Sequence, residues 1–261
     1  MASTNFFRDD FLAIDGYYKA HGRDAKFIEI ENIIFKSKNA EDILNFAIFV
    51  SGADLQRCED KIIELNNPTV ICDFAKFIST ANKERLKRII IDLKMPNIVI
   101  YFANVVGYDK ELEDAIIALK RPKYMVVFAS EVSGVNIERL EDAVIASKDS
   151  EQILLFTRVK GANIKKLQEI LLKIANPNQL FRLASIEGTD ISRIEDELIR
   201  RKNPSVLFKF ARSIKGANLE KISRAIRKMG NDHYTQLFDE FYKKHKRVNH
   251  LIADILNDEK E

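Results

Sequence analysis

Along the 261 residues a large apolar side chain returns at Phe46, Phe74, Phe102, Phe128, Phe156, Leu183, Phe210 and Phe238, at intervals of 28, 28, 26, 28, 27, 27 and 28. A fixed period of this length is the mark of a repeat architecture. The residue after each anchor is small (Ala47, Ala75, Ala103, Ala129, Thr157, Ala184, Ala211) until Asp239 breaks the rule, which places the end of the array there. Between anchors a second apolar stripe steps by four: Ile30 and Ile34, Cys58 and Ile62, Leu86 and Ile90, Leu112 and Ile116, Leu140 and Val144, Leu167 and Leu171, Ile194 and Leu198, Ile222 and Ile226. That spacing puts one apolar face on a helix. Each block therefore predicts two helices of about ten residues, helix A with the paired stripe and helix B with the anchor.

The polar punctuation agrees. All five prolines, Pro68, Pro96, Pro122, Pro177 and Pro204, stand six residues before an anchor, at the one place in a helix where proline is tolerated, its first turn. The residue ahead of that place reads Asn39, Asn67, Met95, Arg121, Asp149, Asn176, Asn203 and Asn231, and six of these eight can accept from the free amides of a first turn. Gly52, Gly107, Gly134, Gly161, Gly188 and Gly216 follow the anchor, with Thr80 in the remaining slot, and are read as left-handed helix terminators. Asp54, Asn82, Asp109, Asn136, Asn163, Asp190 and Asn218 come next, each placed to cap the following helix A.

Two such helices are too small to bury their own apolar faces, so neighbours must stack. The expected fold is all-α, a right-handed superhelix of about eight antiparallel helix-turn-helix repeats with capping helices at both ends. Residues 1–26 are read as an N-terminal cap in which Phe7, Phe11, Ile14 and Tyr18 form the covering stripe. Residues 27–240 are read as the array, and 241–261 as a C-terminal capping helix with an acidic tail. In the last of these, Phe238, Phe241, His245, Val248, Ile252 and Ile255 make a heptad-like seam, which fits a terminal cap or a homodimer seam, so the chain is expected as a monomer or a homodimer through this helix.

The unit Asn203, Pro204, Phe210, Ala211, Gly216, Ala217, Asn218 shows the full motif, and paired-helix units of this kind resemble the α-solenoid superfamily of HEAT, armadillo and tetratricopeptide repeats. The period is shorter than in those three, and the motif is similar to short helical repeats of uncharacterised bacterial, phage and large-virus proteins. The resemblance covers residues 28–240 and implies a binding scaffold.

Composition narrows the setting. Hydrophobic residues at 46% with charged residues at 31% describe a folded, water-borne chain, and no apolar run approaches a membrane span, so no membrane partner is expected. The acidic start Met1 to Asp10 is unlike a signal peptide, and two cysteines make no disulfide scaffold; a cytoplasmic location is expected. Cys58 and Cys72 occupy core slots. The histidines, His21, His233, His245 and His250, do not gather with cysteines as metal ligands, and His245 is read as a packed seam residue. The glycines keep repeat register, so no phosphate loop or nucleophile elbow is present. Neither cofactor nor metal nor catalytic residue is expected, and the chain is read as no enzyme. A resemblance to helical-repeat alkylpurine DNA glycosylases would imply aromatic and carboxylate residues on a basic face; this chain has no Trp, and Tyr101 and Tyr124 substitute poorly.

Charge supplies the candidate sites. Acidic pairs recur at Glu59-Asp60, Glu113-Asp114, Glu141-Asp142 and Glu195-Asp196 and are expected as a solvated ridge along the A helices, interrupted by Lys87-Arg88. The net charge is only +3, yet residues 193–247 hold 15 Lys and Arg against 7 Asp and Glu. The slot before each anchor varies freely: Asn45, Asp73, Tyr101, Val127, Leu155, Arg182, Lys209, Leu237. A strict frame with free slots implies a protein partner engaged through Tyr101, Arg158, Arg182, Lys209, Arg212 and Lys215; the phage-like resemblance implies an inhibitor of a host defence or regulatory protein. The alternative is a nucleic-acid binder using the basic C-terminal third, with Arg200, Arg201, Lys202, Arg224, Arg227, Lys228, Lys243 and Lys244 as candidate polyanion contacts and salt-dependent affinity as its sign.

Overall fold

The structure is a computed structural model that describes residues 6–258, with side chains described through residue 245. The described residues are all-helical, without strands, and divide into two compact units, Met1–Asn136 and Ile137–Glu261.

The first unit holds α1 (Arg8–His21), α2 (Ala25–Phe35), α3 (Ala40–Phe49), α4 (Leu55–Leu65), α5 (Pro68–Phe77), α6 (Lys83–Asp92), α7 (Pro96–Val106), α8 (Lys110–Ala118) and α9 (Pro122–Glu131). The second holds α10 (Ile137–Ala146), α11 (Ser150–Phe156), α12 (Ile164–Ile174), α13 (Pro177–Leu183), α14 (Ile191–Arg200), α15 (Pro204–Ser213), α16 (Leu219–Lys228) and α17 (Asp232–Asp258). Even-numbered helices are A and odd-numbered ones from α3 onward are B. Within each unit consecutive B helices pack side by side, α3 on α5 and α5 on α7, then α11 on α13 and α13 on α15.

Each proline is the first residue of its B helix, and all six predicted Asn or Asp caps accept from their own first turn, as in Asn203 from the Val206 amide at 3.1 Å. Met95 and Arg121 make no side-chain cap. All eight anchors are at most 1% exposed, and the A-helix stripe from Cys58 to Ile226 lies beneath them. In the first block Ile30 is half-buried instead of buried, because Phe27, one turn earlier, fills the space against Phe46.

The glycine assignment needs two corrections. Gly107 has φ 94° and ψ 178°, outside the left-handed helical region and in one open essentially to glycine alone. Gly52 has no positive φ; the ring of Tyr18 lies where its Cβ would stand, so close approach by α1 demands glycine there. The left-handed residue that ends helix A is Asn66, Lys94, Lys120, Lys148 or Lys202, with φ between 51° and 57°, and it is glycine after α16, where Gly230 has φ 68°.

The N-terminal stripe is also corrected. Phe11 is fully buried, whereas Phe7 is 71% exposed, ahead of the first helical residue. The Asp15 carboxylate accepts from the Ser51 amide at 2.8 Å and from its hydroxyl at 2.7 Å, and the Lys19 ammonium followed by these bonds lowers it to about 2. At the other end α17 runs through residue 240 without a break. Phe238 is buried, and His245 is exposed with its ring 5.8 Å from that of Phe241 instead of packed inside. The side chains of Val248, Ile252 and Ile255, and the end of the acidic tail, lie outside the described residues.

Candidate functional site

The acidic ridge is the largest departure from expectation. Glu59, Glu113, Glu141 and Glu195 are buried, at most 3% exposed, and join Glu31 and Gln168 in one slot of successive A helices. Each follows the core residue of its stripe and turns toward the next helix A. There it accepts from the backbone amide of the N-cap residue: Asp54 to Glu31 at 3.2 Å, Asn82 to Glu59 at 2.8 Å, Asn136 to Glu113 at 2.9 Å, Asn163 to Glu141 at 2.7 Å, Asn218 to Glu195 at 2.7 Å. Gln168 does the same for Asp190 at 2.8 Å and also donates to the Asp190 carbonyl.

In an ordinary capping box the third residue of the same helix supplies this carboxylate. Here the preceding helix A supplies it, which releases the third residue to be a cation that reaches back. Arg57 meets Glu31, Arg85 meets Glu59 at 3.3 Å, Lys166 meets Glu141 at 3.1 Å, and Lys221 meets Glu195 at 3.2 Å. The same cations hold the second, exposed acid of each pair, Asp60, Asp142 and Asp196, each at 2.5 Å, and Arg193 holds Glu169 beside the neutral Gln168. Asp142 and Asp196 thereby raise Lys166 and Lys221 above the usual lysine range.

One junction reverses every sign. Lys87, in the glutamate slot, is 5% exposed, not part of a solvated ridge. Its ammonium donates to the Asp109 carboxylate at 2.8 Å and lies 2.8 Å from Glu84 and 3.0 Å from Glu111, which occupies the slot held elsewhere by the returning cation. Asp109 and then Glu84 raise the lysine further above its ordinary value.

The predicted partner-binding residues fall in both units. Tyr101, in the first, is half-buried, and its hydroxyl donates to Asp73 in the same slot of the neighbouring B helix; that bond pushes the phenol up to about 12. In the second unit Arg182 lies on α13 and Lys209 and Arg212 on α15, with Arg158 in the turn that follows α11 and Lys215 in the turn beyond α15, and α11, α13 and α15 are successive neighbours. Arg182 pairs with Glu151 at 2.8 Å. Arg212 lies over the Phe208 ring at 5.5 Å, and Phe208 leads into a cluster with Tyr234, Phe238 and Phe241. Leu155, Leu237 and Phe241 are half-exposed.

The candidate polyanion residues separate. The Arg201 guanidinium is structural: it donates to the carbonyls of Ala175 at 2.6 Å and Leu172 at 3.0 Å, closing the end of α12. Arg227 pairs with Asp239 at 2.6 Å. Arg224 is exposed along α16, and Lys243 and Lys244 are exposed on α17. Arg200, Lys202 and Lys228 come together around a cleft of about 700 Å³ between the A-to-B turns of α14–α15 and α16–α17. Residue spacing shows the basic run but not this selection, since Arg201 is adjacent in sequence to both Arg200 and Lys202.

Cys58 and Cys72 are fully buried, and burial pushes both thiols up to about 12. Among the described residues no helix is long and apolar enough to cross a membrane. No protein family, curated protein or solved structure matches this chain.

Proposed function

We propose that this chain is a non-enzymatic binding scaffold of the α-solenoid class, and that it engages a protein partner through the B-helix face of residues 137–261. The right-handed superhelix of about eight repeats belongs to the same proposal. The observation that supports it is the character of that face. Side-by-side B helices and the turns after them carry Arg158, Lys209 and Arg212 together with the half-exposed Leu155, Phe208, Leu237 and Phe241, while the frame residues that repeat strictly are buried. Arginine and aromatic side chains around apolar patches are what protein interfaces favour. Glu151, paired with Arg182, and Glu240, in the slot that Arg158 and Arg212 hold in their units, would interrupt a track of phosphates.

Replacing Arg158, Lys209 and Arg212 together by Glu tests this. All three are exposed, so the melting temperature stays within a few degrees of the parent. As bait in native lysate treated with nuclease, the parent chain retains a stoichiometric protein and the triple variant loses at least nine-tenths of it. Retention of nothing, or equal retention by both baits, would overturn the proposal.

Nucleic acid is the second reading. It is favoured by the exposed cations among residues 193–245, which include Lys202, Lys209, Arg212, Lys228, Lys243 and Lys244. Release of the captured material by nuclease is the result that would select it.

A further inference from the structure

From the cleft between the two last A-to-B turns we infer a second site, independent of the B-helix face, that binds the phosphate of a nucleotide. Arg200, Lys202 and Lys228 rim it, and Ile199, Pro204 and Met229 give it an apolar wall, all half-buried. No carboxylate lines it. Four other clefts each contain at least one: Glu169, Asp196 and Glu197 in the first, Glu41 and Asp73 in the second, Glu169 and Asp190 in the third, Glu59 in the fourth. Its volume of about 700 Å³ lies within the roughly 300 to 1,000 Å³ usual for small-molecule sites, room for a phosphate together with an organic body.

A bland account covers two of the three cations. Arg200 and Lys228 sit in the last turns of α14 and α16, where positive charge offsets the negative end of a helix dipole. Lys202 shares its left-handed slot with Lys94, Lys120 and Lys148, and what sets it apart is the cleft it rims together with Arg200 and Lys228. Lys202 lies beyond α14, in a turn whose left-handed backbone (φ 53°) is held by its amide donating to the Ile199 carbonyl at 3.1 Å. A left-handed backbone costs a lysine about 1 to 2 kcal/mol that glycine would avoid; Lys94, Lys120 and Lys148 bear the same cost, and Gly230 avoids it in the next turn. Neither Lys202 nor Lys228 forms an ion pair among the described residues. Arg200 is held by Glu197 at 2.6 Å, and its 71% exposed side chain lines the cleft.

Compact ammonium groups bind phosphate as point charges, and the planar guanidinium adds a bidentate contact. The apolar wall selects against inorganic phosphate and favours a phosphate carrying a flat apolar body; Met229 offers the polarizable sulfur that suits an aromatic ring. The shared chemistry is a nucleotide phosphate, whether free or as a unit of a single strand.

The test titrates the full chain at low salt with inorganic phosphate, adenosine monophosphate and a short single-stranded DNA, reading affinity by calorimetry and the Met229 methyl resonance by NMR. Adenosine monophosphate shifts the Met229 methyl and binds at least tenfold more tightly than phosphate. Lys202→Glu with Lys228→Glu weakens it at least tenfold, whereas Lys209→Glu with Arg212→Glu leaves it unchanged. A strand that binds tighter than the mononucleotide and loses roughly tenfold in affinity between about 50 and 200 mM salt identifies the strand as the source; equal affinities identify the free nucleotide. An unmoved Met229 methyl, equal binding of phosphate and nucleotide, or equal loss from the two double variants overturns the site. Because the control pair lies on the B-helix face, failure here leaves the protein-binding proposal standing, and the reverse holds too.

Discussion

The A-helix acids and the cations of the turn cleft are both charged clusters in sequence, yet they have opposite fates in the fold. Glu59, Glu141 and Glu195 are withdrawn from water and occupied by backbone amides and returning cations. Lys202 and Lys228 stay in the open with no carboxylate beside them. Charge matched by an opposite group belongs to the frame, and charge left unmatched around a cleft is open to a ligand. The contrast can be broken from either side.

The largest effect is expected at the reversed junction. Lys87→Glu would place a buried carboxylate against Asp109, Glu84 and Glu111. Leaving a buried charge uncompensated costs about 3 to 5 kcal/mol, a fall in melting temperature of roughly 6 to 15 °C for a chain of this size. Adding Glu111→Lys restores an opposite pair in the two slots and recovers part of the loss, so a double-mutant cycle in urea yields a favourable coupling above about 1 kcal/mol. Strict additivity would show that the two residues do not form the junction.

Next comes a comparison within one acidic pair. Glu195→Ala removes the acceptor for the Asn218 amide and leaves that donor unsatisfied, at about 1 to 3 kcal/mol. Asp196→Ala breaks only the exposed pair with Lys221, whose partners are 62% and 34% exposed, and changes stability by about 0 to 1 kcal/mol. Equal losses in thermal melts would mean that the two acids share one role, as a solvated ridge would require.

These differences mark what could be read from the sequence. Helix positions were legible because proline and Asx act locally: Pro68 or Pro204 can only open a helix, and Asn39 or Asn203 caps the turn beside it. The core was legible because anchor and stripe recur with helical spacing. The inter-repeat ladder was not, since Glu59 and Asp60 are adjacent and equally charged, and only the three-dimensional neighbour shows that one turns toward Asn82 while the other faces water. The register itself held one sign: the first position is Glu31, Glu59, Glu113, Glu141 and Glu195 in all five units, while the second is Asn32 in the first of them and Asp60, Asp114, Asp142 and Asp196 in the rest. The cleft carried no comparable signal, because Arg200, Arg201 and Lys202 are consecutive and only the fold turns Arg200 and Lys202 to the cleft and Arg201 to the end of α12.

The smallest effect joins frame and site in a single residue. Lys202→Gly relieves the left-handed backbone, worth about 1 to 2 kcal/mol, and gives back about 0.5 to 1 kcal/mol through the greater freedom of glycine in the unfolded chain. Lys120, also left-handed at φ 52°, receives the same net gain when replaced by Gly and lies in the other unit. Both variants therefore melt a few degrees higher than the parent. Only Lys202→Gly also weakens adenosine monophosphate, by several-fold, since it alone removes a cation from the cleft. If Lys120→Gly lowers that affinity equally, the loss reflects bulk charge; if Lys202→Gly gains stability with undiminished affinity, the lysine serves only the turn.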